Sequence, residues 1–109
     1  MNLFHKGLRN RWHDFSLVNQ MANIGAEVGR AINWLKKNNQ EMSRNALYRA
    51  LELIDFSVDD PKNKNSLKEI LRLRELLVDY FVGDNIYKQK EENWEKYFYF
   101  FNLAARSNV

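Results

Sequence analysis

Leu17, Met21, Ile24, Val28, Ala31 and Leu35 follow one another at spacings of 4, 3, 4, 3 and 4 residues. Such a run is an apolar seam along one side of an α-helix, and it has to be laid against other helices. Asn19, Gln20, Asn23, Glu27, Arg30 and Asn33 mostly fill the remaining faces. The seam predicts a helix over residues 16–37, with Lys36 and Lys37 complementing the dipole in its last turn. Gly25 and Gly29 form a small-residue ridge on this helix. A glycine there costs ~1 kcal/mol relative to alanine, so the ridge predicts close approach of another backbone. A membrane-type Gly-x-x-x-Gly contact does not fit, because Glu27 lies between the glycines. One Pro and four Gly in 109 residues argue against an all-β fold, which needs many turns.

Three further helices follow from the same kind of reading. Leu47, Leu51, Ile54 and Val58 form a seam over 41–58, widened by Ala46, Ala50 and Leu53, with Arg44 and Arg49 facing outward or sideways. Asp59-Asp60-Pro61 ends it, and residues 60–65 read as a polar, solvated loop in which Lys62 or Lys64 caps the carboxylates. Ser66 and Glu69 read as a capping box opening a helix over 66–82, with Leu67, Ile70, Leu73, Leu77, Tyr80 and Phe81 inward. Leu71, Leu76, Val78 and Val82 make this helix apolar nearly all round, and Gly83 is placed as its left-handed C-terminal stop. A last helix over 90–105 turns Trp94, Tyr97, Phe98, Phe101 and Ala105 inward and leaves Tyr99 and Phe100 pointing elsewhere. Short connections favour antiparallel neighbours. The expectation is an all-α protein: a basic N-terminal arm over 1–15 and an antiparallel four-helix bundle over 16–109, with Val28, Ile54, Leu77 and Phe98 in the core.

Composition narrows function by exclusion. The chain has no Cys, which removes disulfides, thiolate metal sites and a Cys nucleophile and fits a reducing compartment. His5 and His13 are the two imidazoles, so no His-rich metal site is expected. Asp55, Asp59 and Asp60 cluster at a helix end but match no calcium loop, and neither metal nor cofactor is expected. No apolar run reaches the ~20 residues of a membrane span, and Met1–Lys6 has no signal-peptide pattern. The expectation is therefore a cytoplasmic protein away from membranes. The sequence also lacks a Gly-rich phosphate loop, a nucleophile elbow and a Ser-His-Asp set.

Charge is uneven. Residues 1–37 carry Lys6, Arg9, Arg11, Arg30, Lys36 and Lys37 against Asp14 and Glu27, a net +4, whereas the remainder is −1. Arg9, Arg11, Trp12 and His13 form a basic–aromatic cluster that suits stacking on and neutralising a nucleic acid strand. The alternative for the same cluster is an arm that covers the aromatic fourth helix through Phe4, Leu8, Trp12 and Phe15.

The segment Arg72–Phe81 is an apolar helix face interrupted by Arg74, Glu75 and Asp79. It resembles the signature of HEPN-type helical domains, in which an Arg and a polar neighbour precede a His inside a Leu/Val-rich helix and an aromatic follows. Arg74 matches the Arg, Glu75 stands where Asn is common, Tyr80 matches the aromatic, and Asp79 occupies the place of the His. The resemblance implies an Arg that binds a scissile phosphate and subunits that face each other, and the His-to-Asp change removes the group that would assist proton transfer. An Asp at its ordinary pKa of ~3.9 is a poor acid at neutral pH.

Three functions stay open on these grounds. The first is a HEPN-like interaction module, no longer catalytic, that works through an oligomeric or partner-protein interface beside a nucleic-acid-processing enzyme. The second is a nucleic-acid-binding accessory bundle. The third is a metal-independent RNase using Arg74 and Asp79, with Glu75 as a further candidate. A homo-oligomer is expected, with a dimer favoured, and Arg74, Asp79, Tyr99 and Phe100 are its candidate interface residues. Glu75 and Asp79 repel each other one turn apart, which predicts a nearby cation such as Arg49, Arg44 or an Arg of a second subunit.

Overall fold

The computed structural model describes residues 9–107, with side chains from residue 11 onward. A short helical turn, α1 (Arg9–Trp12), precedes α2 (Leu17–Lys36), α3 (Gln40–Val58), α4 (Leu67–Phe81) and α5 (Glu91–Ser107), and a 3-10 turn over Pro61–Ser66 joins α3 to α4. No strand is present among the described residues. The four long helices begin and end within two residues of the positions read from the sequence.

Helix α2 is the centre of the bundle, packing against α3 on one side and α5 on the other. Both neighbours run antiparallel to it. Ser43 donates to the Ala31 carbonyl (2.8 Å) and Arg49 to Glu27 (2.6 Å), while Lys36 pairs with Glu91 and Phe98 sits on Gly25. Helix α4 packs on α3. It meets α5 through Tyr80 edge-on to Trp94 (5.7 Å between centroids) and through the Tyr97 hydroxyl, which donates to Glu69 (3.1 Å). The core between the helices contains Val28, Ile54, Leu77 and Phe98, as expected, with Met21, Ile24, Leu47, Ile70, Leu73 and Trp94.

Several local expectations give way to particular forces. Ser66 makes no side-chain cap bond, because the 3-10 turn runs directly into α4 and leaves Ser66 near helical backbone angles (φ −109°, ψ 7°) rather than in the extended region a capping serine adopts. Gly83 is not left-handed; the positive-φ stop at the end of α2 is Asn38 (φ 58°), and Asn85 and Lys88 take that conformation between α4 and α5. Gly83 matters instead for closeness, since a Cβ there would lie 3.2 Å from the Asp79 carbonyl oxygen. Leu35 and Leu67, at the ends of their seams, are exposed. Gln20 and Glu27, assigned to outer faces of the first helix, are buried, and each is held by polar partners from other segments.

The glycine ridge divides in two. A Cβ on Gly25 would come within 2.7 Å of the Phe98 ring, so a side chain rather than a backbone fills the notch, whereas a Cβ on Gly29 would meet nothing within 4 Å. The two alanine replacements should therefore differ in sign. Gly29→Ala should stabilise by up to ~1 kcal/mol through helix propensity. Gly25→Ala should destabilise, because overpacking costs about 1–3 kcal/mol and exceeds the same propensity gain. Urea melts of the two variants measure this directly, and equal shifts would show that α5 does not seat on Gly25.

Candidate functional site

One end of the bundle is organised by a buried polar network. Asp60 caps the 3-10 turn, its Oδ1 accepting from the Lys62 N–H (3.1 Å), with Pro61 in the first turn where its missing N–H costs nothing. Its Oδ2 accepts from the Gln20 amide (2.8 Å) and from the Lys62 ammonium. Gln20 also donates to the carbonyls of Trp12 and Phe15, and its own oxygen accepts from Asn63 (2.8 Å), which donates in turn to the Ser57 carbonyl (2.9 Å). The Trp12 indole N–H donates to the Ser57 hydroxyl (2.9 Å). Residues 60–65 are thus no solvated loop. Lys62 caps Asp60 as expected, but Asp60 and Asn63 are buried.

Burial alone would raise the Asp60 pKa, but hydrogen bonds from Lys62 and Gln20 and the Lys62 charge outweigh it and hold the carboxyl below its ordinary value. A carboxyl lowered by folding contributes stability that is complete above its unfolded pKa and is lost as pH falls through its folded one. The domain should therefore lose stability below about pH 4. Asp60→Asn, which cannot titrate, should flatten that acid limb while lowering stability at neutral pH, as read by urea melts at several pH values.

The same network places the basic–aromatic cluster. Trp12 is 1% exposed and packs edge-on to Phe15 (5.6 Å). A ring used as a stacking platform has to be accessible, so the indole at the centre of the cluster is a core group. It lies against α3, where its N–H bonds to Ser57. Arg11 and His13 are exposed on either side of it, and the His13 carbonyl accepts from Lys62 (2.9 Å). The side chain of Arg9, and Phe4 and Leu8 of the arm, lie outside the described residues.

The Arg74–Asp79 segment is engaged by two separate sets of groups. Arg74 crosses to α3, where its Nε lies 2.9 Å from Asp55 Oδ1. Asp79 turns to the chain that follows α4: its two oxygens accept from the N–H groups of Ile86 (2.9 Å) and Tyr87 (3.1 Å). Glu75 accepts from the Tyr87 hydroxyl (2.5 Å), and the Arg72 guanidinium lies 5.5 Å from the centre of the Tyr87 ring. Backbone N–H groups and a phenol therefore supply what a cation was expected to supply near Glu75 and Asp79, and Arg49 is held by Glu27. The bond to Glu75 holds the Tyr87 hydroxyl above its usual pKa. The arrangement clamps the connection between α4 and α5 onto α4, and Arg74 and Asp79 do not converge on one point.

Arg74 and Asp55 are both substantially exposed, and exposed pairs contribute about 0–1 kcal/mol. Arg74→Met should shift the urea midpoint within that range; a larger loss would mean that the guanidinium anchors more than Asp55.

Tyr99 and Phe100 are 61% and 69% exposed. With Leu103, also exposed, they form an uncovered apolar patch on α5 on the side away from Gly25 and α2. Leu71 and Val82 on α4 and Ile86 beyond it are exposed as well. No helix among the described residues is long and apolar enough to cross a membrane, and no group of three or more His, Asp or Glu among them is placed to hold a metal ion. Comparison of the chain with protein-family models, with curated proteins and with solved structures returns no match.

Proposed function

We propose that this chain is a HEPN-like helical interaction module without catalytic activity, and that it works through the outer face of α5, where two copies pair about a twofold axis. The observation that carries the reading is the pattern on that face. Glu92, Tyr99, Leu103 and Arg106 are spaced 7, 4 and 3 residues apart, which puts them on one side of the helix, and all four are exposed. Glu92 lies seven residues before Tyr99 and Arg106 lies seven after it. An antiparallel pairing with its axis at Tyr99 sets Glu92 against the partner's Arg106 at both ends and Tyr99 against its own copy at the centre, with Leu103 beside the partner's Glu95. A self-complementary patch of this kind is what an isologous dimer requires. The engagement of Arg74 by Asp55, and of Asp79 by backbone N–H groups, supports a non-catalytic use of the motif.

Charge reversal tests the pairing. Arg106→Glu should weaken self-association by setting like charges together at both ends, and adding Glu92→Arg should restore it. If the single and double variants associate as the wild type does, the face is not paired in this way. RNA cleaved without metal by the wild type, and left intact by a folded Arg74→Met variant, would instead support an RNase.

A further inference from the structure

The connection between α4 and α5 is neither helix nor strand, yet every backbone N–H from Asn85 to Gln89 is bonded within the chain. Asp79 takes three of them: its carbonyl accepts from Asn85 (3.1 Å), and its carboxylate accepts from Ile86 and Tyr87. Asn85 ties up the rest, accepting from the Lys88 N–H at its carbonyl (3.0 Å) and from the Gln89 N–H at its side-chain oxygen (2.9 Å). Tyr87 is the point where this strap meets α4. Arg72, Glu75 and Asp79 are spaced 3 and 4 residues apart and so share one face of α4. All three meet Tyr87: the guanidinium at its ring, Glu75 at its hydroxyl and Asp79 at its N–H. At the far end of the strap, Gln89 lines a cleft of about 370 Å³ between α4 and α5, whose wall is Leu73, Leu76, Trp94 and Tyr97.

The closed strap is held against a backbone preference. Asn85 (φ 52°) and Lys88 (φ 54°), on either side of Ile86 and Tyr87, are both left-handed. That conformation is unfavourable for a lysine and persists only where surrounding bonds impose it. Ile86 adds little burial in return, since it is 70% exposed. A segment held by exposed polar contacts, with few apolar ones, opens before the body of a domain does. We infer that residues 83–90 are a latched strap, which opens and closes as one unit while the four helices stay folded. Tyr87 is the latch. Opening withdraws Gln89 from the cleft, so the latch governs access to the apolar wall between α4 and α5.

Amide hydrogen exchange, followed by NMR on ¹⁵N-labelled full-length protein, tests this with two variants. Tyr87→Phe keeps the ring and deletes the bond to Glu75. Trp12→Phe weakens the other end of the bundle by deleting the bond to Ser57. In the wild type, the N–H groups of Asn85, Ile86, Tyr87 and Gln89 should share one protection factor, below that of Ile54 in the core. Tyr87→Phe should lower all four together by about fivefold, the value of one hydrogen bond. Trp12→Phe should lower the protection of Ile54 and leave the four strap amides unchanged, because their opening does not pass through unfolding of the bundle. Strap amides as protected as Ile54, or falling with it in Trp12→Phe, would overturn the inference by showing that the strap has no opening of its own. Unprotected strap amides would overturn it by showing that nothing is latched. Four unrelated protection factors, or a Gln89 amide that ignores Tyr87→Phe, would do so by separating the latch from the cleft.

Discussion

Replacing Trp12 by alanine is expected to destabilise the domain by about 3–5 kcal/mol, the range for emptying a large aromatic site in a core. The ring is fully buried at the end of the bundle, and its loss opens a void that Phe15, Gln20 and Ser57 cannot fill without breaking their own bonds. Trp12→Phe separates the two contributions of the side chain. It keeps most of the apolar contact and deletes the bond to Ser57, so it should cost nearer the ~1 kcal/mol of a single hydrogen bond. Guanidinium melts followed by circular dichroism measure both. A loss below about 1 kcal/mol for Trp12→Ala would mean that the segment before α2 is an appendage and not part of the core.

The second large effect is expected at Leu77, which is completely buried where α4 meets the rest of the bundle. Leu77→Ala should cost about 2–5 kcal/mol, depending on how far the neighbours collapse into the space. Leu71 provides the control, because it has the same side chain on the same helix and is 46% exposed. Leu71→Ala should change stability by no more than about 0.5 kcal/mol. If the two substitutions cost the same, the inward face of α4 has been wrongly assigned.

These two sites also show how much was legible in the sequence. Leu77 belongs to a periodic apolar stripe, and periodicity reports helix faces well because a helix repeats its environment every turn. For that reason the four long helices and the central positions of their seams could be read directly, while Leu35 and Leu67 at the seam ends turned out exposed. Trp12 stands in a short basic segment with no period, and nothing local to it shows that Ser57, forty-five residues away, provides an acceptor. Asp60 and Gln20 were hidden for the same reason: a polar residue looks solvent-facing until its distant partner is known. One signal was present, since Asp followed by Pro is the signature of a cap and first turn, and that would have placed a helical turn at 61–66.

The candidate site was legible to a different degree. The Arg74–Asp79 segment stands out in the sequence as polar groups interrupting an apolar helix face, but spacing along the chain does not tell where each side chain ends. The structure sends Arg74 across to Asp55 and turns Asp79 forward onto the N–H groups of Ile86 and Tyr87. The capping of that connection depends on Asp79 being an acceptor of two bonds, which a histidine cannot supply in the same way. The exposure of Tyr99 and Phe100 followed from simple crowding, because one helix cannot bury aromatics over most of its circumference in a bundle of this size.

Pairing through α5 is most directly tested by the mass of the protein in solution. Sedimentation equilibrium of the wild type at tens of micromolar should return twice the 13.1 kDa chain mass. The double variant Tyr99→Asp, Phe100→Asp should return the single-chain mass with its helical circular dichroism unchanged. A wild-type protein that sediments as a 13.1 kDa monomer at every concentration, or a double variant that still pairs, would contradict the account.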